Sequence, residues 1–169
     1  QNRRRDARRT SKPRKSMKKA IFPGSFDPFT IGHADIVKRG LLLFDHIVIA
    51  VGYNTQKNSW IPTAERVRAV KEFYKEEPRV SVEEYCGLTI DFAKKKEADF
   101  ILRSIRSVKD YEYELDIADI NRKLSGIETV LLLASPEIAS ISSSVVRELA
   151  GFGHEIHSLI PQGLQYNNI

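Results

Sequence analysis

The segment PGSFDPFTIGH, residues 23–33, concentrates the most chemically suggestive side chains of the sequence. It follows a short apolar run at 20–22 and leads into an amphipathic stretch, so it reads as a strand, a polar turn and a helix N-terminus. At such a junction an α/β sheet offers free backbone N–H groups to a phosphate. Ser25 supplies a hydroxyl, Gly24 and Gly32 let a ligand approach the backbone, and His33 falls in the first helical turn beside the same mouth. These are groups for holding a polyphosphate.

Groups of the same character recur downstream. Lys57 follows one apolar run, Thr89 opens a helical pattern, Arg103 and Arg106 close a hydrophobic run, and Ser142, Ser143 and Ser144 begin another helical pattern. An Arg that ends a hydrophobic strand is poorly explained by solvation. No paired carboxylates occupy an obvious base position, and no Ser-His-Asp arrangement suits hydrolysis. The set favours stabilisation of charge over abstraction of a proton.

The elements that must position these groups alternate. Strands are expected at 20–22, 46–51, 79–85, 99–103 and 128–134, dense enough in Val, Ile and Leu to be buried on both faces. Helices are expected at 32–44, 63–75, 89–97, 111–124 and 142–150. In the fourth helix Tyr113, Ile117, Ile120 and Leu124 form an apolar stripe, and Asp110, Glu114 and Asn121 occupy the remaining, solvated face. Strands joined by helical crossovers predict a doubly wound, five-stranded parallel sheet of Rossmann-like α/β class, with ligands beyond the strand C-termini. On that frame Ser25, His33, Lys57, Thr89, Arg103, Arg106 and the three serines gather on one rim.

With 169 residues, 41% of them hydrophobic, the chain suits one domain with a proper core. The net charge of +5 is uneven: residues 1–16 hold eight Arg/Lys against one Asp, leaving −2 for the rest. Residues 1–16 are therefore read as a basic leader, disordered or a cloning remnant with Met17 as the natural start, and 17–169 as the single domain. A nucleic-acid partner would rest on the leader alone and is not expected. Cys86, the one cysteine, excludes an internal disulfide and a Cys-based zinc cluster, which suits a cytoplasmic protein, and reads as a small buried or half-buried apolar residue. No apolar run approaches the ~20 residues of a membrane span.

Three blocks carry a resemblance to a known family. TIGH at 30–33 resembles the T/H-x-G-H signature of the nucleotidyltransferase superfamily, and ISSSVVRE at 141–148 is similar to its I-S-S-S/T-x-x-R box. Between them LRSIRSVKDYEYE at 102–114 resembles the R-G-L/I-R-x-x-x-D-F/Y-E-Y-E block of bacterial phosphopantetheine adenylyltransferases. The resemblance implies transfer of the adenylyl group of ATP to 4′-phosphopantetheine, giving dephospho-coenzyme A and pyrophosphate. It implies catalytic roles for His33, Ser25, Lys57 and Arg106. It places Ser25, Phe26, His33, Ser104, Ile105, Arg106 and Glu114 at the ATP site, together with Ile138, Ala139, Ser140, Ile141, Ser142, Ser143 and Ser144. Ser25, Lys57, Leu88, Thr89 and Arg103 would hold phosphopantetheine. It further implies Mg²⁺ carried on the ATP phosphates with no protein side-chain ligand, a homo-hexamer, and feedback by coenzyme A.

The sequence departs from the family pattern at two places. Ser104 stands where Gly is usual, so a turn there must accommodate a Cβ. SPEIAS at 135–140 offers no aromatic where some relatives place Trp, which leaves adenine to backbone groups from Ile138 onward. Another nucleotidyltransferase, acting on nicotinamide mononucleotide or glycerol phosphate, is the rival within the same chemistry. A non-catalytic nucleotide- or RNA-binding module using the basic leader is the rival outside it.

Overall fold

The computed structural model describes residues 16–167 and 169; all of the leader but Ser16 lies outside the described residues. Five strands alternate with five helices: β1 (Lys19–Gly24), α1 (Ile31–Gly40), β2 (His46–Gly52), α2 (Thr63–Phe73), β3 (Val80–Tyr85), α3 (Thr89–Lys95), β4 (Phe100–Ile105), α4 (Val108–Ser125), β5 (Glu128–Leu133) and α5 (Ser143–Gly151). The strands form one sheet in the order β3-β2-β1-β4-β5, and every pairing is parallel. This is the doubly wound α/β architecture expected from the alternation of patterns.

Two apolar layers cover the sheet. Ala20, Phe22, Ile47, Ile49 and Val51 pack with Ile36 and Val37 of α1, Ala69 and Val70 of α2, and Val146 of α5. On the opposite face Ile21, Val48, Ala50 and Ile101 meet Ile90, Phe92 and Ala93 of α3. Consecutive residues of β1 and β2 thus belong to opposite layers, which is why these strands read as continuous apolar runs. α1 stops at Gly40, short of the expected 44. A Cβ there would meet Ile47 Cδ1 and Leu102 Cδ2, each at 2.9 Å, so glycine lets the helix end settle onto the sheet.

The sheet opens where its order reverses. β1 and β4 pair only at Ala20↔Phe100 and Ile21↔Ile101, although β1 stays paired with β2 as far as Gly24↔Val51. Beyond Ile21 the two central strands are no longer linked, and a crevice begins at the topological switch point. Pro23 is tolerated inside a central strand for the same reason, since no ladder to β4 remains for its missing N–H to break.

Three expectations are corrected. The stripe of α4 is not in the core: Tyr113, Ile120 and Leu124 are 63%, 51% and 63% exposed. Glu114, expected on a solvated face, is instead buried, because the helix turns its carboxylate toward Arg103 on β4. Cys86 is exposed, for it lies just past the end of β3 in the turn made by Gly87 at φ +91°.

Candidate active site

Thr30 caps α1 and sets the histidine. Its backbone N–H donates to His33 Nδ1 at 2.9 Å, and the His33 N–H donates back to Thr30 Oγ1 at 3.4 Å, a reciprocal capping box. Nδ1 is therefore an acceptor, which leaves the proton on Nε2. Phe26 and Phe29 flank the imidazole at 4.9 and 5.3 Å between ring centroids. Burial, reinforced by the charges of Arg106 and Arg103, lowers the His33 pKa to about 3. At neutral pH the ring is an uncharged N–H donor.

The loop that carries Ser25 is fixed from several directions. Phe26 takes φ 48° and tucks its ring under Gly24, where a Cβ would lie 3.0 Å from it. Asp27 accepts the N–H groups of Trp60 and Ile61 at 2.8 Å each, which ties this loop to the one after β2. Phe29 N–H donates to the hydroxyl of Tyr166 at 3.0 Å, so a residue far along the chain completes the turn.

Arg103 stands at the opening between β1 and β4. Its Nε lies 2.9 and 3.0 Å from the Glu114 carboxylate oxygens, its Nη2 donates to the same carboxylate at 2.6 Å, and its Nη1 donates to Pro23 O at 2.7 Å. Three of the five guanidinium N–H groups are thereby used, and two remain for a ligand. Ser104 causes no displaced turn: it lies within β4, paired with Leu132, and its φ is not in the left-handed region. Arg106 is exposed, its Nε 3.3 Å from Asp110. Lys57 lies on the exposed loop after β2 and makes no ion pair among the described residues.

At the start of α5 the three serines have separate tasks. Ser142 caps the helix by accepting the Val145 N–H at 3.2 Å, Ser143 donates to Pro28 O at 2.8 Å, and Ser144 accepts from Arg147 at 3.2 Å. Arg147 also donates to Asp27 O at 2.7 Å, joining α5 to the first loop.

Two cavities meet across these groups. The larger, about 830 Å³, holds Ser25, Lys57, Thr89 and Arg103 and runs on to Tyr113 and Asn121. The smaller, about 400 Å³, holds Phe26, His33, Ser104, Arg106, Ile138 and Ile141, with the three serines completing its wall. Ser25, Arg103, Glu114 and Arg147 belong to both. Leu88, Ile105, Ala139 and Ser140 are not part of either wall. Such a pair of adjoining anion-binding pockets can hold two phosphorylated molecules end to end.

Comparisons with known proteins give the family and the fold. Residues 21–149 match the Cytidylyltransferase-like family. The phosphopantetheine adenylyltransferase of Bacteroides fragilis is 54% identical over 149 residues, 88% of this chain and 99% of the relative. The chain belongs to the phosphopantetheine adenylyltransferase family. The enzymes of that name from Phocaeicola vulgatus and Flavobacterium johnsoniae are each 54% identical over the same share of this chain, covering 99% and 98% of their own lengths. A solved structure from Vibrio parahaemolyticus, assigned as a nicotinate-nucleotide adenylyltransferase, superposes with a TM-score of 0.63 at 18% identity, covering 88% of this chain and 96% of its own. That likeness bears on the fold, which it shares with this family member.

Some wall residues escaped the sequence reading. Arg147 closes the I-S-S-S-x-x-R box and could have been taken from that motif. Tyr113, Ile117 and Asn121 of α4 line the larger cavity, together with Thr129 of β5, whose hydroxyl is buried without a partner among the described residues. The spacing of the α4 residues carried a helical signal but no sign of which side faced a ligand.

Proposed function

We propose that the two cavities are the two substrate sites of an adenylyl transfer from ATP to 4′-phosphopantetheine, giving dephospho-coenzyme A and pyrophosphate. The observation that carries this reading is the shared wall of Ser25, Arg103 and Arg147, where the two sites touch. The triphosphate lies in the smaller cavity against Arg106, His33 and the α5 N-terminus, and the acceptor phosphate lies in the larger against Lys57, Ser25 and the free edge of Arg103. Adenine rests near Ile138 and Ile141. The elongated amide arm of the acceptor runs along Tyr113 and Ile117, with the amide of Asn121 and the orphan hydroxyl of Thr129 as its polar contacts.

A phosphate monoester is already anionic at neutral pH, so the acceptor oxygen attacks the α-phosphorus without a general base and pyrophosphate departs. Neutral His33 suits this, because its Nε2–H donates to the phosphate oxygen on which charge grows. In-line alignment of two bound reactants is worth ~7–11 kcal/mol, and each aimed donor roughly 2.7–4 kcal/mol more, without simple additivity.

The donor set fits Mg²⁺ held by substrate. Among the described residues no three His, Cys, Asp or Glu side chains form a metal site, and the carboxylates of Glu114 and Asp110 are engaged by Arg103 and Arg106. When bound, the ion neutralises phosphate charge. Ile120 and Leu124, the exposed part of the α4 stripe that lines neither cavity, are the surface a second copy of this chain would cover in a homo-hexamer. No helix among the described residues is long and apolar enough to cross a membrane. A cytoplasmic location and feedback by coenzyme A are part of the same proposal.

A coupled pyrophosphate-release assay with ATP, Mg²⁺ and a panel of phosphorylated acceptors tests the reading. Turnover with 4′-phosphopantetheine, and none with nicotinamide mononucleotide or glycerol phosphate, is expected. Preference for either of the latter would overturn it.

A further inference from the structure

Arg66 is 2% exposed and stands among the few buried charged side chains of the described residues. It makes no ion pair there. Asp27 is an opposite charge that acts on it, yet both oxygens of that carboxylate accept backbone N–H groups from Trp60 and Ile61. The guanidinium is instead met by neutral oxygens. Nε donates to Ile61 O at 2.9 Å, Nη2 to Thr63 Oγ1 at 2.8 Å, and Nη1 to Ser25 O and, at 3.4 Å, to Gly52 O. A buried cation without a carboxylate is a costly way to stabilise a core, which apolar packing would serve better.

The acceptors explain the position. Ser25 belongs to the loop after β1, Gly52 ends β2, and Ile61 and Thr63 close the loop that carries Lys57. One rigid fork therefore fixes the separation between Ser25 and the base of the Lys57 loop, and Arg66 itself lines the larger cavity. It does not reach the wall of the smaller one.

We propose that Arg66 is a positioning residue for the acceptor site: it sets Ser25 and Lys57 at the spacing an acceptor phosphate requires and keeps a guanidinium with no ion-pair partner among the described residues in the wall that faces that phosphate. This rests on reading the larger cavity as the acceptor site.

The test is steady-state kinetics with both substrates, alongside calorimetric binding of ATP, for Arg66→Lys. A lysine keeps the charge, but its compact ammonium cannot span acceptors on three stretches of chain. KM for phosphopantetheine is expected to rise about tenfold while the Kd for ATP stays within about twofold, since Arg66 lines only the larger cavity and three of its four acceptors, at Gly52, Ile61 and Thr63, lie outside the wall of the smaller. Thr63→Val, which removes one acceptor and leaves the guanidinium in place, should raise the same KM about threefold. It covers the case in which Arg66→Lys does not fold. An unchanged acceptor KM in a folded variant, or equal weakening of both substrates, would overturn the proposal. A wild-type protein inert toward phosphopantetheine would instead remove the functional reading beneath it, and the role of Arg66 with it.

Discussion

Arg103 Nη1 donates to Pro23 O at 2.7 Å, across the gap where β1 and β4 have ceased to pair. The side chain replaces the missing backbone ladder, and Glu114 holds the other side of the guanidinium in place. The same crevice that admits a ligand is thus bridged by the group that would grip it.

Glu114→Gln removes the negative partner of a largely enclosed cation. Stability should fall by about 1–3 kcal/mol, as expected when a charged hydrogen bond is lost. The KM for phosphopantetheine should rise more than the Kd for ATP, because Arg103 loses its orientation. Urea unfolding and substrate titrations read the two effects separately, and a KM at the wild-type level would show that Arg103 needs no such support.

His33→Ala should lower kcat about 10²–10³-fold in a protein that still folds, since the lost contact to substrate forms in the transition state, while the melting temperature falls with the loss of the capping box and of the packing against Phe26 and Phe29. Near-normal kcat would remove His33 from the machinery.

The pH behaviour of His33 follows from its lowered pKa of about 3. The unfolded chain takes up a proton near the ordinary value of about 6.5, whereas the folded protein resists until about pH 3. The stability linked to this residue is therefore complete above about pH 6.5 and is lost progressively as pH falls toward 3. Nitrogen NMR at pH 5–8 should show one Nε2–H tautomer with no titration. A midpoint for His33 inside that range would contradict the capping geometry.

Lys57→Ala should weaken phosphopantetheine more than ATP, because Lys57 lines only the larger cavity. Binding calorimetry that found both substrates weakened alike would count against the division of the cavities.

Ile120→Glu with Leu124→Glu places charge on the exposed stripe of α4. The proposed homo-hexamer of the unsubstituted protein should be seen by sedimentation, and the double variant should run as smaller species while the folded signal of each subunit persists. Assembly unaffected by the two charges would locate the subunit contact elsewhere.

Much of this arrangement could be read before any coordinates. All five strands lie within two residues of their expected bounds, and β1 and β2 are apolar on both faces as expected, but the edge strands β3 and β5 are not buried on both faces because nothing pairs with their outer sides. The rim of Ser25, His33, Arg103 and the α5 serines followed from where those strands end. The orientation of α4 could not be read: its periodicity shows a stripe, but the turn of the helix is decided by the demand of Arg103 for a carboxylate eleven positions away. Arg66 was hidden for a related reason, whereas Arg147 stood in the I-S-S-S-x-x-R box and was legible there. A charged residue on an amphipathic helix reads as solvated unless the oxygens waiting for it on distant loops are known.

Phe29 leans on a hydroxyl 137 residues further along the polypeptide. The turn that faces the crevice is therefore pegged by a side chain from beyond α5 and not by its own neighbours, so a truncation ahead of Tyr166 would keep every signature residue and still lose the hydroxyl that seats them.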